Sequence, residues 1–241
     1  TTEVTLDRTS FAAGTYTLEV FASASCDPTG FGEGDRLVGH FEGIGPGVSN
    51  FNLTELVPGN QFLTATATDA NGNTSEFSAC VPISAVILVV NVNDSGAGSL
   101  REAMTTANVS GGTITFAIPG VNAATPGVIN LLSPLPAITQ QMTVDATTQS
   151  GFDGQPVVEI HSPGGNNWAG FNILANNVTV RGFSITGFNQ GIFAWQGQTG
   201  ILIEQNIVGS NRLHVAGQGN GLGVGVRASN SVIRHNAIVG N

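Results

Sequence analysis

The chain has 241 residues with 7 basic and 16 acidic side chains, a formal charge of −9, and 33 glycines. All the basic residues are arginine, which excludes Schiff-base lysines, Walker-type phosphate binding and lysine-dependent isopeptide cross-links, and an acidic surface opposes the phosphate neutralisation on which nucleic-acid binding rests. Charged residues make up 10% of the sequence against about 25% in an average soluble protein, which excludes coiled coils and charge-rich tails and, with glycine at about twice its usual share, predicts an all-β chain of short strands and tight turns.

Residues 1–85 hold 10 of the 16 acids with only Arg8 and Arg36, whereas 86–241 holds 6 acids against 5 arginines. This break predicts two domains, 1–85 and 86–241. In the first, Tyr16, Leu18 and Val20 interleave with Thr17 and Glu19, and 61–69 alternates large with small residues, the period of half-buried strands. Further strands are expected at 3–8, 36–42, 49–56 and 75–83, with turns at 27–30, 45–47 and 71–73, a set that suits an immunoglobulin-like sandwich. Cys26 and Cys80 are an isolated pair, expected as a disulfide rather than a metal or redox site, the alternative being two buried thiols. Asp69, Asn71, Asn73 and Glu76 place side-chain oxygens around Gly72 as calcium loops do; the other reading is a β-turn with Asn-Gly in the left-handed positions. Asp27, Glu33 and Asp35 would strengthen the calcium reading if they folded nearby.

The longest apolar run, 81–92, contains Pro82 and is too short for a bilayer span of about 20 residues; it reads as a buried strand, with no membrane insertion by this segment. The chain starts without a Met or a signal sequence, the pattern of a mature or excised chain. Ser99 followed by Glu102 is a capping box, and Leu100, Ala103, Met104 and Ala107 share one apolar face, so a helix is expected over about 99–108. So short a helix is unstable alone and must cover something. Beyond it, 180–187, 203–209 and 233–240 repeat one pattern in which Phe183, Asn206 and Asn236 are equivalent, with 191–196 and 223–228 supplying a second strand per turn. Such periods predict a β-solenoid, with Val, Ile and Phe inside and asparagines at the bends, the helix being its lid.

The stretch 93–108 (NDSGAGSLREAMTTAN), followed by 114–120, 129–139 and 142–151, resembles the start of right-handed parallel β-helix proteins of the pectate-lyase-like superfamily that carry an SLREA-type cap. Residues 24–39 and 62–81, including both cysteines, resemble the immunoglobulin-like module found beside such β-helices in large bacterial surface proteins. Two departures are that the sandwich here precedes the β-helix and that Ala146 follows Asp145 where Gly is usual. The resemblance implies an exported, extracellular or cell-surface protein. The superfamily includes lyases, hydrolases, adhesins and stalks, so function has to come from a site.

Glycoside hydrolysis needs two carboxyl groups about 5–10 Å apart. After Glu102 the acids are Asp145, Asp153, Glu159 and Glu204; Asp145 and Glu159 are the two that could sit on neighbouring strands, but Asp145 reads better as a turn or ladder acceptor. No catalytic residue is assigned. Arg181 and Arg234 occupy equivalent repeat positions, as an outer ladder would. His161, His214 and His235 read as turn or surface residues, since no triad or ligand spacing accompanies them. The aromatic cluster of Trp168, Phe171, Phe188, Phe193 and Trp195 stacks inside a solenoid or, if Trp168 and Trp195 are exposed, stacks against sugars. The sequence ends one strand into a coil, so an exposed solenoid edge is expected, covered by a continuing array or by a second copy in a fibre. The expectation is a non-catalytic extracellular structural or adhesive protein, with no cofactor unless calcium and with copies of itself, other surface proteins or glycans as partners. The alternatives are a carbohydrate-active enzyme and a glycan-binding module.

Overall fold

The computed structural model describes residues 3–54, 57, 61–83, 85–213 and 219–241. The chain is mostly β and divides into two compact units, Thr1–Ser84 and Ala85–Asn241. Unit one comprises β1 (Glu3–Asp7), β2 (Tyr16–Ser23), β3 (Arg36–Ile44), β4 (Val48–Asn52), β5 (Phe62–Asp69) and β6 (Val81–Pro82). β1 pairs antiparallel with β4, and the others form an antiparallel sheet in the order β3-β2-β5-β6. Period-two alternation turns Leu18, Val20 and Ala22 inward at 2% exposure each, and Val20, Val38, Leu53, Val57 and Leu63 form the core, against which Val4 and Leu6 of β1 pack.

One strand is shorter than its sequence suggests. Of 75–83, only Val81–Pro82 is strand, because Ser75 and Ser78 put side chains where a ladder would put carbonyls. Their Oγ atoms accept from Ala67 N and Ala65 N at 3.0 Å, while their own amides donate to Ala67 O and Ala65 O at 2.8 Å. Hydroxyls that compete with backbone acceptors in this way satisfy the edge without regular pairing. Cys26 and Cys80 are joined as a disulfide with Cα atoms 6.0 Å apart and 54 residues between them in sequence.

Unit two comprises β7 (Val86–Val89), α1 (Leu100–Ser110), β8 (Gly112–Phe116), β9 (Gly127–Asn130), β10 (Met142–Asp145), β11 (Val158–Ile173), β12 (Thr179–Arg181), β13 (Phe183–Ala194), β14 (Leu202–Glu204), β15 (Ile207–Val208), β16 (Leu222–Val226), β17 (Val232–Arg234) and β18 (Ala237–Ile238). Every strand pair is parallel and joins one pass of the chain to the next. One sheet runs β17-β14-β12-β10-β8-β7 and the other β18-β15-β13-β11-β9, with β16 also on β13. Register is kept from pass to pass, so like side chains stack. Ile114, Val144, Val180 and Ile203 stand in one column, and Ile129, Ile160, Ile185 and Val208 in the other, all fully buried. Each such side chain contributes about 1.5–3 kcal/mol of transfer free energy. Ile233 and Ile238, which continue these columns, are 47% and 46% exposed.

β11 and β13 run on through their bends, so 191–194 is the end of β13 and not a strand of its own. A glycine column makes the close approach possible: a Cβ on Gly170 would lie 2.7 Å from Gly191 O, and one on Gly191 2.5 Å from Gly223 O. Asparagines tie successive bends, Phe183 N donating to Asn206 Oδ1 and Asn206 N to Asn236 Oδ1, both at 3.0 Å.

α1 begins at Ser99, whose Oγ accepts from Glu102 N at 3.2 Å, while Gly98 N donates to Glu102 Oε2 at 2.6 Å. Gly111 at φ +68° ends it. Leu100, Ala103, Met104 and Ala107 are buried, and the helix packs on β7 and β8.

Candidate functional site

The outward residues of the first parallel sheet form a column of alternating charge. Asp145, Arg181, Glu204 and Arg234 are register partners on β10, β12, β14 and β17. Arg181 Nη2 donates to Asp145 Oδ2 at 2.7 Å, Arg181 Nη1 reaches Glu204 Oε1 at 3.4 Å, and Arg234 Nε donates to Glu204 Oε2 at 2.8 Å. Asp145 Oδ1 also accepts from Thr147 N at 3.0 Å, starting a 3-10 turn over Ala146–Thr148. The carboxylates are the buried members, at 4% and 6% exposure. Burial pushes the Glu204 carboxyl up, but hydrogen bonds from Arg234 and Arg181 outweigh it and hold the group below its ordinary value. The hydrogen bond to Asp145, and then that to Glu204, raises Arg181.

Asp145 and Glu159, the two acids weighed as a catalytic pair, lie in different sheets, on β10 and β11. Glu159 instead belongs to a second cluster on the outward side of β11 and β13. Thr186 Oγ1 lies 2.6 Å from Glu159 Oε1 and 2.9 Å from His161 Nδ1, and Asn211 Nδ2 donates to Glu159 Oε2 at 3.0 Å. A carboxylate only accepts, so Thr186 gives its proton to Glu159 and takes a hydrogen bond from the N–H of His161 Nδ1. In the neutral ring this leaves Nε2 as an acceptor. A cleft of about 80 Å³ opens beside Glu159, lined also by Pro126, Val128, Ser184 and Arg212. At its rim Arg212 grips both oxygens of Asp153 at 2.7 Å, and that bond holds the Asp153 carboxyl down at about 2. Thr186 and Asn211 carry no signal in the linear sequence, since the repeat places Thr186 outward without naming its partner. His235 sits in a turn at φ +53°, and His214 lies outside the described residues.

In unit one, Asp69, Asn71 and Asn73 meet in one turn. Asp69 Oδ1 accepts from Asn71 N at 2.8 Å and Asn73 N at 2.9 Å, and Oδ2 accepts from Asn73 Nδ2 at 2.9 Å. The side-chain bond from Asn73, followed by the backbone bonds, lowers the Asp69 carboxyl below its ordinary value. Gly72 takes the left-handed position at φ +83°. Glu76 is exposed and makes no side-chain hydrogen bond to this turn among the described residues. Among the described residues no three His, Cys, Asp or Glu side chains are grouped as a metal site would need. Asp27 bonds locally to Thr29 N at 2.8 Å.

The aromatic cluster divides. Phe171 and Phe188 are buried, with Phe171 5.1 Å from Phe183 in an edge contact. Trp168 packs partly against the core, its indole N–H buried without a hydrogen-bond partner among the described residues. Trp195 is 43% exposed, donates Nε1–H to Asn172 Oδ1 at 2.8 Å and meets Phe193 edge-on at 4.9 Å. No helix among the described residues is long and apolar enough to cross a membrane.

No protein-family model and no curated protein matches this sequence.

Proposed function

We propose that unit one is an immunoglobulin-like sandwich and unit two a right-handed parallel β-helix of the pectate-lyase-like kind with an SLREA-type cap, and that the chain acts outside the cell as a non-catalytic structural or adhesive element. The fold reading draws on the parallel stacking of successive passes, on α1 covering the first of them, and on the sequence resemblance. The extracellular reading draws on the disulfide, a bond that persists in oxidising compartments. The observation that carries the functional reading is that each of the four carboxylates after Glu102 is engaged by the protein's own donors. Asp145 is held by Arg181 and Thr147, Asp153 by Arg212, Glu159 by Thr186 and Asn211, and Glu204 by Arg181 and Arg234. An acid–base pair for glycoside cleavage has to offer its oxygens to substrate and water; Asp145 and Glu204 are buried in their ion pairs, and Asp153 and Glu159 are each held through both oxygens by protein donors.

The competing reading, a carbohydrate-active enzyme, draws on the His161–Thr186–Glu159 relay beside its cleft. Purified protein incubated with polygalacturonate, alginate and neutral glycans separates the two, with unsaturated product followed in the ultraviolet and reducing ends by colorimetry. No product above that of a protein-free blank is expected. Turnover that the Glu159→Gln variant abolishes would overturn the structural reading.

A further inference from the structure

The four acids that follow Glu102 are not held alike. Asp145, Asp153 and Glu204 each bond an arginine. Glu159, 5% exposed, bonds none among the described residues. Its partners are the Thr186 hydroxyl at 2.6 Å and the Asn211 amide at 3.0 Å, both neutral, and the His161 ring reaches it only through Thr186. A carboxylate taken out of water is costly until an opposite charge joins it, and each of its oxygens can accept a second bond beyond the one it has.

The strand register shows where that charge can enter. Val128, Glu159 and Ser184 are register partners on β9, β11 and β13, so they form one outward row, and all three line the cleft of about 80 Å³. That volume is several times the roughly 10–15 Å³ one water needs, and Pro126 and Leu213 add apolar wall. Arg212 lines the cleft too, but its guanidinium is taken by both oxygens of Asp153 at 2.7 Å, which leaves Glu159 as the uncompensated charge.

An ammonium on an alkyl stem fits this chemistry, its methylenes lying on apolar wall and its compact head donating to separate acceptors. A guanidinium fits less well, because its planar fork needs two oxygens open side by side and each Glu159 oxygen already holds a donor. A calcium ion needs six or more oxygen ligands, and among the described residues no three His, Cys, Asp or Glu side chains come together. No copy of this sequence can supply the group as a side chain, since it contains no lysine, whereas its charge of −9 draws cationic partners towards it. We propose that the Glu159 cleft receives a lysine side chain presented by a different protein, the stem against Val128, Pro126 and Leu213 and the ammonium on Glu159 and Ser184. This rests on the adhesive part of the function proposed above and gives that reading a partner chemistry.

The test is a heteronuclear NMR titration of the full chain with the acetylated methylamides of lysine, norleucine and arginine, and with butylamine. Saturable shifts at the Glu159, Ser184 and Asn211 amides are expected with the lysine probe, at an affinity at least about tenfold higher than for the norleucine and arginine probes. Glu159→Gln should weaken it by about tenfold or more. Val128→Trp, which fills the cleft from a position 37% exposed, should abolish it with the unfolding midpoint unchanged and Glu159 intact. No saturable response to the lysine probe, an equal response to norleucine or arginine, or lysine binding within twofold of the parent in either variant overturns the proposal. Butylamine bound more than about tenfold tighter than the lysine probe overturns the protein partner in favour of a free amine. The glycan assay on the same preparation separates this site from the reading it rests on: lysine binding with glycan turnover supports the site and overturns the non-catalytic reading, and neither binding nor turnover overturns the site alone.

Discussion

Replacing Arg181 with methionine tests whether the charge column holds the stacked passes together. The guanidinium serves two carboxylates at once, Asp145 at 2.7 Å and Glu204 at 3.4 Å, whose side chains are 5% and 8% exposed, while its own side chain is 36% exposed. Removing one partner of a buried pair costs about 3–5 kcal/mol, because the remaining charge is left desolvated and alone. Solvent reaching Arg181 screens part of this, and each acid keeps another donor, Thr147 for Asp145 and Arg234 for Glu204. Together these bring the expected loss to about 2 kcal/mol. Arg234→Met is the control: its side chain is 54% exposed and serves Glu204 alone, so a loss of about 0.5–1 kcal/mol is expected. The pH dependence adds a sign. Glu204 is depressed in the folded protein, so its contribution is present above the unfolded carboxyl value and is lost as pH falls through the lower folded value. Arg181→Met brings the folded value back towards the unfolded one, and its deficit against the parent should shrink on acidification. Urea unfolding followed by circular dichroism at neutral and acid pH reads all three. A loss for Arg181→Met no larger than that for Arg234→Met, or a deficit that grows on acidification, would refute a column in which Arg181 neutralises two buried acids.

Three further outcomes are expected. The Cys26→Ser/Cys80→Ser double variant should lose about 4 kcal/mol from the first unit, the loop-closure term for a bridge spanning 54 residues; an unchanged denaturant midpoint would contradict this. Gly191→Ala should destabilise the second unit by about 1–3 kcal/mol, since the added Cβ would lie 2.5 Å from Gly223 O and backbone cannot turn aside as a side chain does; thermal unfolding with no drop would show that the passes can spread. Asp153 is held at about 2 by Arg212, so the stability this bond supplies is present above the unfolded value and lost as pH falls towards 2. Asp153→Asn should flatten that part of the acid-unfolding profile, and a profile superimposable on the parent's would remove the bond from the account.

What could be read from the sequence was local. Ser99 and Glu102 are three residues apart, and Leu100, Met104 and Ala107 follow at helical spacing; a capping box and one apolar face need no distant partner, so the helix is written into a dozen residues. The Asp69 turn is likewise closed by its own neighbours. Strand alternation was legible too, but its limit was not: at 75–80 the serine hydroxyls took the place of a regular ladder, a competition that alternation cannot express.

The sites lay beyond that reach. Arg181 is 36 residues from Asp145 and 23 from Glu204, and Asn211 is 52 from Glu159. The lengths between equivalent strands differ because each loop takes up a different number of residues, so spacing marks the repeat without saying which outward side chains share a column. Whether Trp195 faced the interior was likewise undecided, because aromatic residues serve the inside and the outside of a coil equally well. Composition and local spacing therefore determined a β chain of recurring passes with a capped helix at their start. Only the tertiary register, which sets partners tens of residues apart within hydrogen-bonding distance, decided that the acids of those passes are held by arginines, a threonine and an asparagine from elsewhere in the chain.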